Sequence, residues 1–196
     1  MKRLFDILCS LILILLSSPL LLIMSILVGA DSRGGVFYGQ TRVGLNGILF
    51  KMWKFRTMHP NAETKGQLTV GARDPRITRV GYYLRKFKVD ELPQLWNVFI
   101  GDMSLVGPRP EVPKYVEYYT AEQRQVLSIR PGITDEASLK YFEENKLLAE
   151  SSHPEQTYIE EIMPAKLRLN LEYARKSSLA VDLVILFKTV VRMIRG

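Results

Sequence analysis

The chain has 196 residues, of which 47% are hydrophobic and 24% are charged, and its formal net charge is +7. This composition excludes an intrinsically disordered chain and suffices for one compact domain plus a membrane element. The basic balance indicates partners that carry phosphate, such as anionic lipids, nucleotides or nucleic acid. The single cysteine, Cys9, excludes an internal disulfide bond and is interpreted as a small buried hydrophobic residue.

The first predicted element is an almost wholly apolar segment from Leu4 to Val28, long enough to cross a bilayer as one helix. Three interpretations compete: a cleaved signal peptide, an ordinary transmembrane helix, and a re-entrant hairpin that returns to the face it entered. Lys2 and Arg3, with Val28-Gly29-Ala30 as a cleavage-like site, fit a signal peptide, but the apolar stretch is too long for one and is interrupted.

Ser17-Ser18-Pro19, near the middle of this segment, favours the re-entrant interpretation. Proline removes a backbone donor and clashes with the preceding turn, while serine hydroxyls can satisfy the groups that are freed. The first half, Leu4 to Leu16, reaches only about 20 Å, short of a hydrocarbon core of about 30 Å. Basic residues at both flanks, Lys2-Arg3 and the chain after Arg33, should both stay cytoplasmic. A kinked spanning helix is the alternative.

The expected organisation is a re-entrant helix–break–helix over residues 1–30 and a cytoplasmic, membrane-associated domain over residues 31–196, with both termini on the cytoplasmic side. The domain is predicted to be α+β and mostly helical. Asn46-Gly47, between apolar residues in the extended segment Val36 to Phe55, is a good signal for a β-hairpin turn.

Apolar residues at helical spacing predict helices in the rest of the chain. The last stretch, Ser177 to Arg195, is both strongly apolar and basic. It is interpreted either as an amphipathic helix at the membrane interface or as a core helix with a basic end. The predicted helices cover residues 77–87, 92–99, 111–129, 155–176 and 177–195.

The segment from Lys51 to Pro110 holds eleven Lys/Arg and five Asp/Glu, an excess of six positive charges that is nearly the net charge of the chain. Such a cluster is usually a solvated face. Here, however, arginines alternate with rigid turns, as in Arg73-Asp74-Pro75-Arg76 and Gly107-Pro108-Arg109-Pro110. Arginines that are held still suit bidentate binding of phosphate.

Asp90-Glu91 lies inside this basic segment, at the expected N-terminus of a helix. Acidic residues there commonly cap the helix. The alternative is catalytic, since adjacent carboxylates beside arginines can divide the work of attacking phosphorus and holding a divalent ion. The sequence has no zinc-ligand spacing, nucleophile elbow or glycine-rich P-loop, so phosphate chemistry here would use carboxylates, arginines and a metal ion.

Several long motifs, in order, resemble those of the bacterial sugar transferases, the monotopic polyprenol-phosphate phosphoglycosyl transferases of the small single-domain type. The similarity runs from the Ser-Pro break in the first helix to Pro131-Gly132-Ile133-Thr134 and resumes near Asp182. The motifs that carry it are Lys54-Phe55-Arg56-Thr57-Met58, Asp74-Pro75-Arg76-Ile77-Thr78-Arg79-Val80-Gly81, Asp90-Glu91-Leu92-Pro93-Gln94-Leu95-Trp96-Asn97-Val98 and Gly101-Asp102-Met103-Ser104-Leu105-Val106-Gly107-Pro108-Arg109-Pro110-Glu111.

The resemblance implies a phosphoglycosyl transferase of the bacterial inner membrane, acting at the first membrane step of glycoconjugate or polysaccharide biosynthesis. It would move a sugar 1-phosphate from a nucleotide sugar, expected to be a UDP-sugar, to polyprenol (undecaprenyl) phosphate and release UMP. Asp90 would be the nucleophile of a covalent intermediate, Glu91 a partner in binding Mg²⁺, and Ser18-Pro19 the break in the membrane helix. The residues implied in substrate or phosphate binding are Arg85, Arg109, Pro108, Pro110, Lys54, Arg56 and Asp182.

One departure from the family pattern concerns the segment from Asp135 to Phe142. Many relatives have Gly-x-Ala-Gln-Val-Asn-Gly-Arg there, and the acidic stretch from Glu143 to Glu161 is also unlike the common form. The sugar is therefore left undetermined, as is a homodimer. The rival from another class is a non-enzymatic surface module that binds anionic lipids, which gives Asp90-Glu91 no role. No nucleic-acid partner is expected, because the chain has a membrane segment and lacks a nucleic-acid-binding motif.

Overall fold

The computed structural model describes residues 1–66, 68–71 and 74–195. Arg73, in one of the predicted arginine turns, and Gly196, the C-terminus predicted to be cytoplasmic, lie outside these residues. The chain is mostly helical with two small sheets, which confirms the predicted α+β class. The helices and strands are α1 Lys2–Asp31, β1 Phe37–Val43, β2 Leu49–Phe55, α2 Arg79–Lys86, α3 Gln94–Ile100, β3 Ser104–Val106, α4 Pro113–Val116, β4 Gly132–Thr134, α5 Glu136–Lys140, α6 Glu144–Glu150, α7 Pro154–Thr157, α8 Met163–Lys176 and α9 Leu179–Arg195.

α1 is one continuous helix with Pro19 inside it, and its length and composition suffice to cross a membrane. Pro19 cannot donate a hydrogen bond to the carbonyl of Leu15, one turn earlier. The hydroxyl of Ser18 donates to that carbonyl instead, at 2.8 Å, and the hydroxyl of Ser17 donates to Leu13 O at 2.6 Å. The predicted interruption of the helix at Ser18-Pro19 is therefore wrong as a statement about secondary structure, because the serines satisfy the carbonyl that proline leaves free.

Both ends of α1 are attached to the same domain. Near its start, the buried carboxylate of Asp6 accepts from the backbone N–H of Leu105 at 3.1 Å and from the hydroxyl of Ser104 at 2.9 Å. Near its end, the carboxylate of Asp31 accepts from the backbone N–H of Val80 at 2.8 Å. The first contact reaches β3 and the second reaches α2, so the domain holds α1 at two separate points.

The first residues of α1 add further anchors. The guanidinium of Arg3 donates to Val98 O at 2.5 Å. The ammonium of Lys2 forms an ion pair with Asp182 at 2.5 Å and donates to the hydroxyl of Tyr173 at 2.8 Å. That hydroxyl donates to the second oxygen of Asp182 at 2.6 Å. The N-terminus of α1 is thereby joined to α3, α8 and α9.

The predicted hairpin is confirmed. β1 and β2 pair antiparallel, with Val43 opposite Leu49, and a 3₁₀ turn over Leu45–Gly47 joins them. Asn46 and Gly47 both have positive φ angles, 55° and 79°. This left-handed backbone is the conformation that Asn-Gly adopts readily, which is why the dipeptide identifies the turn.

A second pair of strands, β3 and β4, runs parallel and was not predicted from the sequence. Ser104 lies opposite Gly132 and Val106 opposite Thr134. At its end the two backbones approach so closely that a Cβ on Gly132 would lie 2.1 Å from the backbone nitrogen of Gly107. Glycine is therefore required at both positions, Gly107 and Gly132. This crossing positions the turn that begins at Gly107 and carries Arg109.

The helix predicted over residues 111–129 is wrong. The chain there forms α4 and, later, a 3₁₀ helix over Gln123–Ser128. Between them, Gln123 Oε1 accepts from the backbone N–H of Thr120 at 2.9 Å and Thr120 Oγ1 accepts from the backbone N–H of Gln123 at 3.2 Å. This reciprocal pair is a capping box, which starts a new helical turn instead of continuing the old one.

The long C-terminal helices agree better with the sequence. α7 continues into α8 through a single π-helical stretch, Tyr158–Ile162, and α9 covers the predicted last helix. α9 buries Ile185 against the core. Its outer side nevertheless exposes large apolar side chains. α9 therefore combines the core contact expected of a core helix with the apolar surface expected of a helix at the membrane interface. The exposed residues are Leu179, Leu183, Val184, Phe187, Val190, Met193 and Ile194.

We expect Gly132→Ala to destabilise the folded protein by at least about 1–3 kcal/mol, because backbone and not a flexible side chain must move to admit the new Cβ. Thermal unfolding in detergent measures the change. Gly29→Ala is the matched control, since a Cβ there has Val36 Cγ2 as its nearest neighbour at 3.7 Å. Equal unfolding temperatures for the two variants would contradict the expectation.

Candidate active site

A large open cavity of about 1280 Å³ lies between the hairpin, α2, the turn before α3 and the segment from α5 to α8. It collects residues from across the chain, including most of those predicted from sequence to form the site. The predicted residues that line it are Lys54, Arg56, Arg85, Asp90, Glu91, Arg109 and Pro110.

Asp90 lies in a 3₁₀ turn, Val89–Glu91, immediately before α3. The turn begins after Lys88, whose φ of 56° is left-handed and uncommon for a residue with a side chain. Asp90 is buried, and its Oδ1 atom has no hydrogen-bond partner among the described residues. Burial raises the pKa of this carboxyl group, and the neighbouring charge of Glu91 raises it further. A buried carboxylate oxygen without a partner is rare in structural positions and indicates a functional group.

The capping interpretation of this acidic pair is not supported by the geometry. The cap position of α3 is Pro93, and α3 has no side-chain cap. Glu91 instead forms a two-pronged ion pair with Arg109, in which Nη1 donates to Oε2 at 3.1 Å and Nη2 donates to Oε1. Burial by itself raises the pKa of Glu91, but the charge and hydrogen bonds of Arg109 outweigh it and hold the pKa at about 2.

Arg109 is itself held by the chain that follows β4. Its backbone N–H donates to the buried carboxylate of Asp135 at 3.1 Å, and its Nη1 donates to Ile133 O at 3.3 Å. Asp135 also caps α5 by accepting from the backbone N–H of Ser138 at 2.6 Å. The guanidinium is therefore fixed before any substrate binds, as the turn residues around it predicted.

Two further cations lie near Asp90 without pairing to any carboxylate that the structure describes. Arg85 donates to the hydroxyl of Thr69 at 3.1 Å, and Lys54 donates to the side-chain carbonyl of Gln40 at 3.0 Å. Burial lowers the pKa of Lys54, and the charges of Arg42 and Arg85 lower it further, to about 7. Arg85 offers positive charge inside the cavity to an anionic ligand, and such a ligand would also favour the protonated form of Lys54.

Arg42 and Gln40 are functional candidates that sequence reasoning missed. Arg42 donates from Nη1 to Pro110 O at 2.9 Å and to Glu111 Oε1 at 3.2 Å, and from Nη2 to Gln40 Oε1 at 2.9 Å. It therefore ties the hairpin to the turn that follows Arg109. The signal was present: Gln40 and Arg42 alternate along β1, which places both on one face of the strand.

The far wall of the cavity comes from the segment that departs from the family pattern and from α8. The hydroxyl of Tyr158 donates to the carboxylate of Glu111, and Lys166 donates to Glu144 at 2.6 Å. Asn170 is buried with its Oδ1 atom unpaired among the described residues. The departing segment is thus part of the site. Its residues in the lining are Ser138, Leu139, Tyr141, Phe142, Glu144, Asn145, Leu148 and Tyr158.

Two predicted site residues lie elsewhere. Asp182 is buried in the cluster with Lys2 and Tyr173, where it anchors α1, and it does not line the cavity. Pro108 faces a separate small pocket, and its carbonyl accepts from the backbone N–H of Gly132 at 3.0 Å. Both residues position neighbouring elements, and the substrate contacts expected of them stay predictions.

The full chain, residues 1–196, matches the family model described as bacterial sugar transferase. The chain belongs to this family. The resemblance carried by the motifs is thereby confirmed, as is the prediction that the chain is an enzyme of the sugar transferase class.

Three relatives illustrate the similarity. Undecaprenyl-phosphate glucose phosphotransferase of Komagataeibacter xylinus is 35% identical over 98% of the chain and 36% of its own length. Exopolysaccharide production protein ExoY of Rhizobium meliloti (strain 1021) is 38% identical over 96% of the chain and 83% of its own length. UDP-N-acetylgalactosamine-undecaprenyl-phosphate N-acetylgalactosaminephosphotransferase of Aeromonas hydrophila is 36% identical over 100% of the chain and 44% of its own length. The chain thus spans less than half of two of these relatives, and their names specify different sugars.

The acidic pair of this sugar transferase fits a magnesium ion that arrives with a diphosphate. Asp90 and Glu91 supply adjacent carboxylates, and one oxygen of Asp90 is unpaired. The part of the chain that the structure describes contains no cluster of three metal-binding side chains. Magnesium suits this arrangement, because it commonly takes one or two carboxylates and completes its shell with water and phosphate oxygens.

We expect Lys54→Met to raise the unfolding temperature of the transferase at pH 7 and to flatten its rise toward pH 10. The folded pKa of Lys54, about 7, is below its ordinary value of 10.5. At Lys54 the unfolded chain therefore binds more protons between these values, and the contribution of Lys54 makes stability rise with pH across this window. Below pH 7 Lys54 is protonated in both the folded and the unfolded chain, so the full cost of burying its charge remains. Thermal unfolding from pH 6 to 10 measures the pH dependence of the unfolding temperature. Exposed Lys51, mutated to Met, should leave the slope unchanged.

Proposed function

We propose that the chain transfers a sugar 1-phosphate from a UDP-sugar to undecaprenyl phosphate through a covalent phosphosugar on Asp90. The observation that carries the proposal is the unpaired, buried carboxylate oxygen of Asp90 in a cavity whose walls hold Lys54, Arg85 and Arg109. A site that only bound anions would not place a carboxylate there, since it would repel them. The names of two relatives contain the acceptor, and one contains the UDP-sugar.

The cations provide what phosphoryl transfer requires of a protein. Charge develops on the phosphoryl oxygens as the bond to the leaving group breaks, and fixed donors offset it in a site that is partly shielded from water. Arg109 is fixed by Glu91 and Asp135, and Arg85 and Lys54 remain free of carboxylate partners within the described residues. The diphosphate of the donor would lie among these three cations.

Asp90 is suited to attack phosphorus. In the first step an oxygen of Asp90 forms a bond to the β-phosphorus of the donor, and the bond from that phosphorus to the bridging oxygen breaks, so that UMP leaves. In the second step an oxygen of the polyprenol phosphate bonds to the same phosphorus and the carboxylate of Asp90 is released. Burial and the charge of Glu91 raise the pKa of Asp90, and the neighbouring cations Arg85, Lys54 and Lys88 oppose that rise, which favours the ionised nucleophile.

Glu91, with Asp90 beside it, would hold magnesium on the donor. When bound, the ion would offset charge on the diphosphate oxygens. The ion pair with Arg109 keeps Glu91 ionised at every physiological pH, which a metal-binding oxygen needs. The same ion pair orients its carboxylate beside Asp90.

The proposed topology is monotopic, with residues 31–196 as the cytoplasmic catalytic domain. A straight helix of the 30 residues of α1 would be about 45 Å long, and a spanning helix would place its ends on opposite sides of a core of about 30 Å. Asp6 and Asp31, near the two ends, bond to the same domain. One domain on one face of the membrane can make both contacts only if α1 enters and leaves by that face. The exposed apolar side of α9 would lie at the interface.

Asp90→Asn tests the covalent step, because it removes the attacking charge at nearly constant shape. Wild-type protein incubated with a UDP-sugar and no acceptor should release about one equivalent of UMP and retain labelled sugar phosphate on the chain. We expect Asp90→Asn to abolish both signals. Asp102→Asn, the same change outside the cavity, should retain them.

Direct attack by the lipid phosphate is the competing mechanism. It is supported if rapid quench of the wild-type chain never traps labelled sugar phosphate, or if Asp90→Asn keeps most of its turnover.

Metal dependence is the second expectation. We expect chelation to abolish UMP release and added magnesium to restore it, since Asp90 and Glu91 offer two adjacent carboxylates and magnesium would complete its shell with phosphate oxygens and water. Glu91→Gln should raise the magnesium concentration that gives half-maximal activity. Full turnover in excess chelator would exclude the metal from the reaction.

A further inference from the structure

Phe142, in the segment that departs from the family pattern, lies against two cations. The Nζ atom of Lys88 is 5.3 Å from the centre of the Phe142 ring, and the guanidinium carbon of Arg192 is 4.8 Å from it. Lys88 precedes the turn that carries Asp90, and Arg192 belongs to α9. The ring therefore connects the edge of the candidate active site to the C-terminal helix.

Neither of these two cations is in direct contact with a carboxylate of the described residues. Within the described residues, neither Lys88 nor Arg192 forms an ion pair. The Nε atom of Arg192 is buried and has no hydrogen-bond partner there. Glu143, the neighbouring carboxylate that is sensitive to the charge of Arg192, is exposed and bonded to Lys146. Two cations that share one aromatic ring, without a direct ion pair, at the edge of the cavity indicate a site for an anionic group.

The surface next to these cations is apolar and continuous with α9. Leu92, Leu139 and Met193 line the cavity together with Phe142. Met193 is also 48% exposed on α9. From there the outer side of α9 continues with Val190, Phe187 and Ile194, all exposed. An anionic binding point that opens onto an exposed apolar helix face has the chemistry of a lipid phosphate with a long hydrocarbon chain.

We propose that Lys88, Phe142 and Arg192 form an acceptor gate, which holds the phosphate of polyprenol phosphate while the hydrocarbon chain lies along α9. This inference rests on the proposed function and deepens it. The donor is water-soluble, and its diphosphate matches the cations Lys54 and Arg85. The acceptor arrives from the membrane, and the gate is the part of the cavity edge that joins cations to an apolar surface.

The gate serves the second chemical step. An anionic oxygen of the acceptor phosphate forms a bond to the phosphorus carried by Asp90, the bond between that phosphorus and the carboxylate oxygen breaks, and the carboxylate leaves with the bonding electrons. The attacking oxygen is already ionised, so no proton has to be removed. Arg192 and Lys88 would reduce the repulsion between the acceptor phosphate and the phosphosugar.

Steady-state kinetics in detergent test the gate. Initial rates are measured over a range of undecaprenyl phosphate concentrations at a fixed UDP-sugar concentration, and then over a range of UDP-sugar concentrations at a fixed undecaprenyl phosphate concentration. We expect Arg192→Gln, which removes a charge-assisted contact to phosphate, and Phe142→Leu, which removes the ring between the two cations, each to raise the KM for the acceptor about tenfold. The KM for the donor should change less than about twofold. Arg192→Lys keeps the charge and should recover part of the affinity.

Lys188→Gln is the matched control. It removes the same charge one turn earlier on α9, where Lys188 pairs with exposed Glu136 outside the cavity lining. It should leave the KM for the acceptor unchanged. Near-ultraviolet circular dichroism checks that each variant is folded, and Arg192→Lys replaces Arg192→Gln as the decisive variant if the latter unfolds.

Three outcomes would overturn the gate: an unchanged KM for the acceptor in Arg192→Gln and Phe142→Leu, a parallel rise in both KM values, or equal sensitivity of Lys188→Gln. Competition separates the lipid acceptor from a general anionic surface. If excess phosphatidylglycerol raises the KM for the acceptor in wild type but not in Arg192→Gln, the site binds bilayer headgroups and the gate is wrong. Failure of the wild-type chain to transfer sugar phosphate to any polyprenol phosphate would instead reject the proposed function.

Discussion

The ion pair between Glu91 and Arg109 is the contact on which the rest of the site depends. It joins the turn that carries Asp90 to the turn that follows β3, and Asp135 extends the link to α5. Both charged groups are largely withdrawn from water, so removing either one would leave the other uncompensated. The close backbone crossing of the parallel pair makes this ion pair possible, because it fixes where the Arg109 turn emerges. A short-range backbone constraint thereby sets the electrostatics of the whole cavity.

Asp90 lies beside this network, but its buried Oδ1 atom has no hydrogen-bond partner among the described residues. Its nearest cations, Lys54 and Arg85, bond to neutral oxygens of Gln40 and Thr69 and not to its carboxylate. If they paired with Asp90, the carboxylate proposed to attack phosphorus and the cations proposed to bind phosphate would neutralise each other. Holding them apart leaves an uncommitted carboxylate and uncommitted cations in one cavity. That arrangement costs stability in the free protein, as the lowered pKa of Lys54 indicates, and in the proposed reaction a bound diphosphate would relieve that cost.

Features determined by neighbouring residues could be predicted from sequence, and features determined by distant contacts could not. The hairpin followed from Asn46-Gly47, because those residues set their own backbone. The helix predicted over 111–129 failed because apolar spacing was weighed above the capping pair Thr120 and Gln123, a local signal that was present. The parallel pair of β3 and β4 joins two three-residue strands from separate parts of the chain, and no local pattern specifies it. Resemblance identified Asp182 but not its partner, and only the structure shows that it anchors α1.

The segment from Asp135 to Glu161 differs from the common family form, yet it packs directly against the most constrained part of the site. Asp135 holds the backbone of Arg109, and Phe142 contacts both Lys88 and Arg192. Substitutions beyond Asp135 can reshape the cavity wall and leave the ion pair between Glu91 and Arg109 in place, because, of the side chains that the structure describes in this segment, only that of Asp135 bonds to the Arg109 turn. In the proposed reaction, the 3₁₀ turn and the Arg109 turn would supply the chemistry, while the departing segment and α9 would determine which substrates can approach it.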